Sequence, residues 1–130
     1  MTNIRDYANI VGQDIIDELF ILAEKLKEIT IQNINSTSVG GGVAEILTRM
    51  IPLLKQLGVN VSWDVIKGNE RFFSITKKIH NALHGVNVYI SEDEIEYFLE
   101  VNRENANEIS LYGDVIFVHD PQPIALIEKK

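Results

Sequence analysis

One hundred and thirty residues, 45% apolar and 24% charged, fit one soluble globular domain able to bury a core, and exclude a two-domain enzyme of ordinary size. Nineteen acidic against twelve basic residues leave a charge of −7, which repels phosphate backbones and anionic lipids and argues against nucleic acid or membrane partners. The absence of cysteine excludes disulfides, thiolate metal sites and thiol nucleophiles, and with no signal-peptide stretch and no apolar run of about 18 residues the expected location is cytoplasmic.

From Asp6 to Lys27 apolar residues including Ile10, Val11, Ile15, Ile16, Leu19, Phe20, Ala23 and Leu26 recur at steps of three and four, which predicts an amphipathic helix. Ile29 to Ile34 alternates with period two and is β-branched, predicting a strand that stops at Asn35-Ser-Thr-Ser38. Gly40-Gly41-Gly42 opens a second helical pattern from Val43 to Leu57, closed by Gly58 at the position of a C-cap glycine. Pro52 removes a backbone donor inside it and predicts a kink. Val59 to Ile66 alternates again, so strand, helix and strand follow one another as a βαβ unit.

A third helix is predicted from Glu70 to Leu83 and a fourth from Ser91 to about Ala106, with Ser91 as N-cap and Glu94 completing a capping box. Asp114 to His119 is a short apolar run between Gly113 and Pro121, which predicts a strand buried on both faces. Pro123 to Ile127 is apolar but is followed within three residues by the end of the chain, so the sheet is expected to be small, with exposed edges, and part of a larger domain. Alternating helices and strands give the expected class: α/β, a Rossmann-like three-layer sandwich with a mainly parallel sheet.

Ligands of open α/β sheets bind beyond the carboxyl ends of the strands, where loops and helix N-termini gather. Two segments fall there. Ser36 to Gly42 matches neither the G-x-x-x-x-G-K-[ST] nor the G-x-G-x-x-G phosphate fingerprint, so it reads either as a cradle for an anion or a sugar or as a tight turn whose glycines serve packing. His119-Asp120-Pro121-Gln122-Pro123 is stiffened by alternate prolines, which fixes where the imidazole and the carboxylate point. His119 and Asp120 read either as site residues or as a structural histidine beside a carboxylate that holds its own loop.

His80 and His84 stand four apart without a third ligand, so no metal is assigned. Arg71, Lys77 and Lys78 form a basic stripe expected to be solvated or paired with the acidic run Glu92-Asp93-Glu94-Ile95-Glu96.

Asn35 to Leu47, Phe72 to Gly85 and His119 to Pro123 resemble, in order and approximate spacing, the amino-terminal part of the trehalose glycosyltransferring synthases. These are retaining GT-B-type glycosyltransferases related to glycogen and sucrose-phosphate synthases. The resemblance implies two facing Rossmann-like domains, the first binding the acceptor sugar and the second a nucleotide-sugar donor. It implies that this chain is the incomplete amino-terminal half of that fold. Residues 1–28 are then a helical extension, residues 29–130 a partial acceptor-side domain, and the donor-binding domain is absent.

The same resemblance implies substrate-binding roles for Gly40, Gly41, Gly42 and Asp120 and a catalytic role for His119. It implies glucose and a nucleoside-diphosphate glucose as the substrates of the complete enzyme, with trehalose as product and no cofactor. The basic diphosphate-binding residues and paired-glutamate motif of the family's donor domain have no counterpart here, so the chain alone is not expected to transfer glucose. A non-catalytic sugar-binding or subunit-interaction module is the alternative. Uncovered sheet edge and apolar surface make a homodimer the expected assembly.

Overall fold

The computed structural model describes residues 3–129. A 3-10 turn at Ile4–Tyr7 leads into α1 (Ala8–Val11) and α2 (Gln13–Glu24). The single helix expected from Asp6 to Lys27 is broken because Gly12 takes a φ of +93°, outside the helical region. Then follow β1 (Thr30–Asn35), α3 (Gly42–Gln56), β2 (Asn60–Val65), α4 (Glu70–Leu83), α5 (Glu92–Glu108), β3 (Val115–Val118) and a 3-10 helix at Ile124–Lys129. The three strands form one parallel, Rossmann-like sheet in the order β2-β1-β3, so the expected α/β class holds. None of the described helices is long and apolar enough to cross a membrane.

Local chemistry explains the element ends. At the end of α3, Gly58 N–H donates to the Lys55 carbonyl and Val59 N–H to that of Leu54, the paired bonds of a Schellman motif, with Gly58 at φ +87°. Gly85 ends α4 in the same way, with its own N–H on Ala82 and that of Val86 on Asn81. The Ser91 hydroxyl accepts from Glu94 N–H at 3.2 Å, and the Glu94 carboxylate accepts from Ser91 N–H at 3.0 Å, completing the expected capping box. α3 runs unbroken through Pro52, so the proline interrupts one hydrogen bond without ending the helix.

Register is visible at both ends of the strands. Thr30 N–H donates to the Asp114 carboxylate at the start of β1, while at its other end the Asn35 and Ile34 carbonyls accept from Ile66 and His119 N–H. Because β1 lies between two partners, Gln32, Asn33, Ile34 and Asn35 are all buried. The strand expected to be buried on both faces is instead an edge: Val115 and Phe117 of β3 are 42% and 51% exposed. Apolar character alone cannot distinguish a central strand from an edge, because strand order is a long-range property.

The chain forms two compact units. One comprises the chain up to Asn33, Val39–Trp63 and Tyr112–Phe117, and its core gathers Ala23, Leu47, Ile51, Val59 and Val61. The other comprises Ile34–Ser38, Asp64–Leu111 and the chain from Val118. There Phe72, fully buried, stacks on Phe98 with ring centroids 5.9 Å apart, and the final 3-10 helix packs on α5 and buries Leu126.

Candidate functional site

The loop after β1 is shaped by its own polar residues. Asn35, buried at the end of the strand, donates from Nδ2 to the Thr37 carbonyl oxygen at 2.7 Å, which turns the chain towards the glycines. Gly40 and Gly41 have φ of +72° and +80°, the left-handed region that a side chain makes costly. Gly42 has no such requirement, and a Cβ placed on any of the three would meet no atom within 4 Å. Packing within the chain therefore does not account for Gly42. Gly41 is the N-cap of α3 and carries no side chain to bond the first-turn N–H groups of that 15-residue helix. Such N–H groups, at the positive end of the helix dipole, attract anionic or hydroxyl oxygens.

The loop after β3 begins at His119, half-buried, whose main-chain N–H donates to the Ile34 carbonyl at 2.9 Å and so fixes its place against β1. Asp120 is exposed and has a φ of +66°, the single positive-φ residue other than glycine among the described residues. Residues with a Cβ seldom adopt that conformation, aspartate more readily than most. Beyond it the Gln122 carbonyl accepts from Asn102 Nδ2 at 3.1 Å, and Pro123 is buried.

The sequence-predicted residues thus stand in two places, Gly40 to Gly42 after β1, and His119 with Asp120 after β3. Sequence reasoning gave no role to Asn35 or Asn102. The signal for Asn102 was present: it falls among the apolar Phe98, Val101 and Ala106 of α5 with a buried carboxamide.

Two members of the basic stripe of α4, Arg71 and Lys78, are engaged by α5. Lys78 meets Glu94 at 2.5 Å, and the Arg71 guanidinium lies 4.0 Å from the Tyr97 ring centre. The hydrogen bond from Lys78, with a second from Ser91 N–H, holds the Glu94 carboxyl below its ordinary range. The hydrogen bond to Glu108 likewise raises the Lys67 ammonium. The His84 Nδ1 bonds the His80 carbonyl at 2.8 Å, and no group of three or more metal-ligating side chains occurs among the described residues.

Residues 33–130, which include both loops, match the family model described as the N-terminal domain of trehalose synthase. The chain is 46% identical over 127 residues to trehalose synthase from Pyrococcus horikoshii, covering 96% of this chain and 31% of that protein. It is 40% identical over 126 residues to trehalose synthase from Rubrobacter xylanophilus, covering 95% of this chain and 30% of the relative. It is 30% identical over 138 residues to trehalose phosphorylase from Pleurotus pulmonarius, covering 96% and 19%. The chain therefore spans about a third of the length of the curated trehalose synthases it matches. With matched sequence running through both strand-end loops and over well more than half of its length, the chain belongs to the trehalose synthase N-terminal domain family.

Proposed function

We propose that this chain is the acceptor-side, amino-terminal part of a cytoplasmic GT-B-type glucosyltransferase that forms trehalose from a nucleoside-diphosphate glucose and glucose. The observation that carries the reading is the family match through residues 33–130, which leaves neither candidate loop outside it. Gly42 supports it physically, since an unstrained glycine facing open space beside uncapped helix N–H groups suits close approach of a ligand's oxygens. The left-handed conformation of Asp120 supports it as well.

In this reading His119 aligns the glucose being transferred and stabilises developing positive charge through its carbonyl or imidazole, and Asp120 orients an acceptor hydroxyl. Gly40, Gly41 and Gly42 offer backbone N–H groups towards the donor phosphates and the acceptor. In a retaining transfer the departing phosphate takes the proton of the acceptor hydroxyl, so His119 need not act as a base. Glucosyl transfer also requires cationic groups aimed at the nucleotide-diphosphate leaving group.

The test is a chimera in which this chain replaces the matching region of Pyrococcus horikoshii trehalose synthase, assayed for trehalose from nucleoside-diphosphate glucose and glucose, and separately for phosphorolysis of trehalose. The expected result is synthesis, with His119→Ala lowering kcat about 10²-fold or more in a folded protein. A folded chimera active only in phosphorolysis, or near-normal turnover in His119→Ala, would overturn the reading or the role of that histidine respectively.

A further inference from the structure

Each strand is followed by a loop, and in each loop an asparagine carboxamide grips the main chain. Asn35 holds the Thr37 carbonyl after β1. Asn105 holds Lys67 after β2, accepting from its N–H at 2.7 Å and donating to its carbonyl at 2.7 Å. Asn102 holds the Gln122 carbonyl after β3 at 3.1 Å. Asn102 and Asn105 are one turn apart on α5, so a single helix face supports two of these loops.

The two α5 asparagines differ in a way that shows what Asn102 is for. Asn105 also donates to the Val101 carbonyl, so both ends of its carboxamide are satisfied. Asn102 uses its amide on the Phe98 and Gln122 carbonyls, while its Oδ1 is buried without a partner among the described residues. A buried unsatisfied acceptor destabilises, and asparagine is a weaker helix former than leucine, which would suit an apolar stripe beside Phe98 and Val101. Asn102 therefore costs α5 stability. What it delivers is one donor, aimed at a carbonyl two residues beyond Asp120, the residue held at φ +66°.

We propose that Asn102 is a positioning residue: by clamping the Gln122 carbonyl it keeps Asp120 in its left-handed conformation, ordered for the acceptor sugar, while His119 stays held by its own bond to Ile34. The acceptor part of this inference rests on the function proposed above. The clamp itself does not. Without it the left-handed state of Asp120 becomes a minor conformer, and apparent acceptor affinity falls by the fraction of competent loop that is lost.

Backbone ¹⁵N relaxation on this chain reads the clamp directly. In the unmodified chain Asp120 and Gln122 should have order parameters near about 0.85, and in Asn102→Leu these should fall below about 0.6 while the α5 amides stay rigid. Because the leucine removes an orphaned acceptor from the helix, its melting temperature should stay close to that of the parent, whereas a merely structural asparagine would lose order and stability together. Asn102→Ala serves if leucine does not fit.

In the chimera, Asn102→Leu should raise KM for glucose about tenfold and leave KM for the nucleotide sugar unchanged. An Asp120 that is disordered in the parent, or equally ordered in the variant, overturns the clamp, as does an unchanged glucose KM in an enzyme whose loop has become mobile. A parent chimera that makes no trehalose defeats the proposed function instead, and the relaxation data then decide the clamp on their own.

Discussion

Gly40, Gly41 and Gly42 look alike in the sequence yet make different demands. The first two need glycine for backbone reasons, so Gly40→Ala and Gly41→Ala should each cost about 1–2 kcal/mol despite the open space around them. Gly42 lies in the first turn of α3 at an ordinary φ, and Gly42→Ala should be neutral or stabilise by a few tenths of a kcal/mol, since alanine is the better helix former. Urea denaturation of the three variants separates these cases. A loss above about 1 kcal/mol for Gly42→Ala would return that glycine to a structural role. Gly113 presents the opposite constraint: its Cβ would stand 2.7 Å from Gln32 Cβ and 2.9 Å from the Val115 carbonyl oxygen. Gly113→Ala should therefore destabilise by about 1–3 kcal/mol through overpacking where β3 approaches β1.

At the scale of the elements, the amino terminus of α5 carries the clearest electrostatic device. Ser91→Ala removes the acceptor for Glu94 N–H and should cost about 1 kcal/mol in thermal or denaturant unfolding. Glu94, held below its ordinary value first by Lys78 and then by Ser91 N–H, binds protons less readily folded than unfolded. Its contribution is therefore present above the ordinary carboxylate range, near about pH 4.3, and disappears as pH falls through the lower folded value. Glu94→Gln should flatten that part of the acid unfolding curve, and an unchanged acid limb would mean the pair contributes nothing. Lys67 works in the reverse sense: its raised value makes its pairing with Glu108 present below the ordinary lysine range and lost as pH rises through it. Both partners are mostly exposed, so that alkaline effect should be slight.

For the molecule as a whole, exposed apolar surface and net charge govern what it binds. Large apolar side chains stand exposed at Ile10, Ile21, Val39, Phe117 and Ile127, each more than half accessible. We expect the chain to self-associate through such surface, with a homodimer as the simplest closed outcome, and light scattering that gave the mass of one chain over a wide concentration range would defeat this. Calorimetry should find no submillimolar affinity of the isolated chain for a nucleoside-diphosphate glucose, because a diphosphate needs cationic groups aimed at it and the glycine loop has none. Tight binding would move donor recognition into this part of the protein. At −7 the chain should also show no measurable affinity for a DNA duplex at physiological salt.

Local signals were legible in the sequence wherever the physics is local. The Ser91 and Glu94 capping box, the glycines that end α3 and α4, the limits of α4 and the apolar stripes of the main helices depend on residues within about a turn of one another, and the structure keeps them. The two loops that carry the candidate residues were legible for the same reason, as glycines and prolines at strand ends. Strand order was not. Gly113 bonds Gln32 across 81 positions and Asn102 bonds Gln122 across 20, and no periodicity in either segment encodes its partner. Only the tertiary structure made β1 the central strand, with Gln32, Asn33 and Asn35 buried, and left β3 as an edge. It alone set Asp120 in the left-handed region and brought Asn102 to the Gln122 carbonyl. Residues of that kind answer to distant groups brought near by folding, and their conformations follow from those contacts rather than from their own propensities.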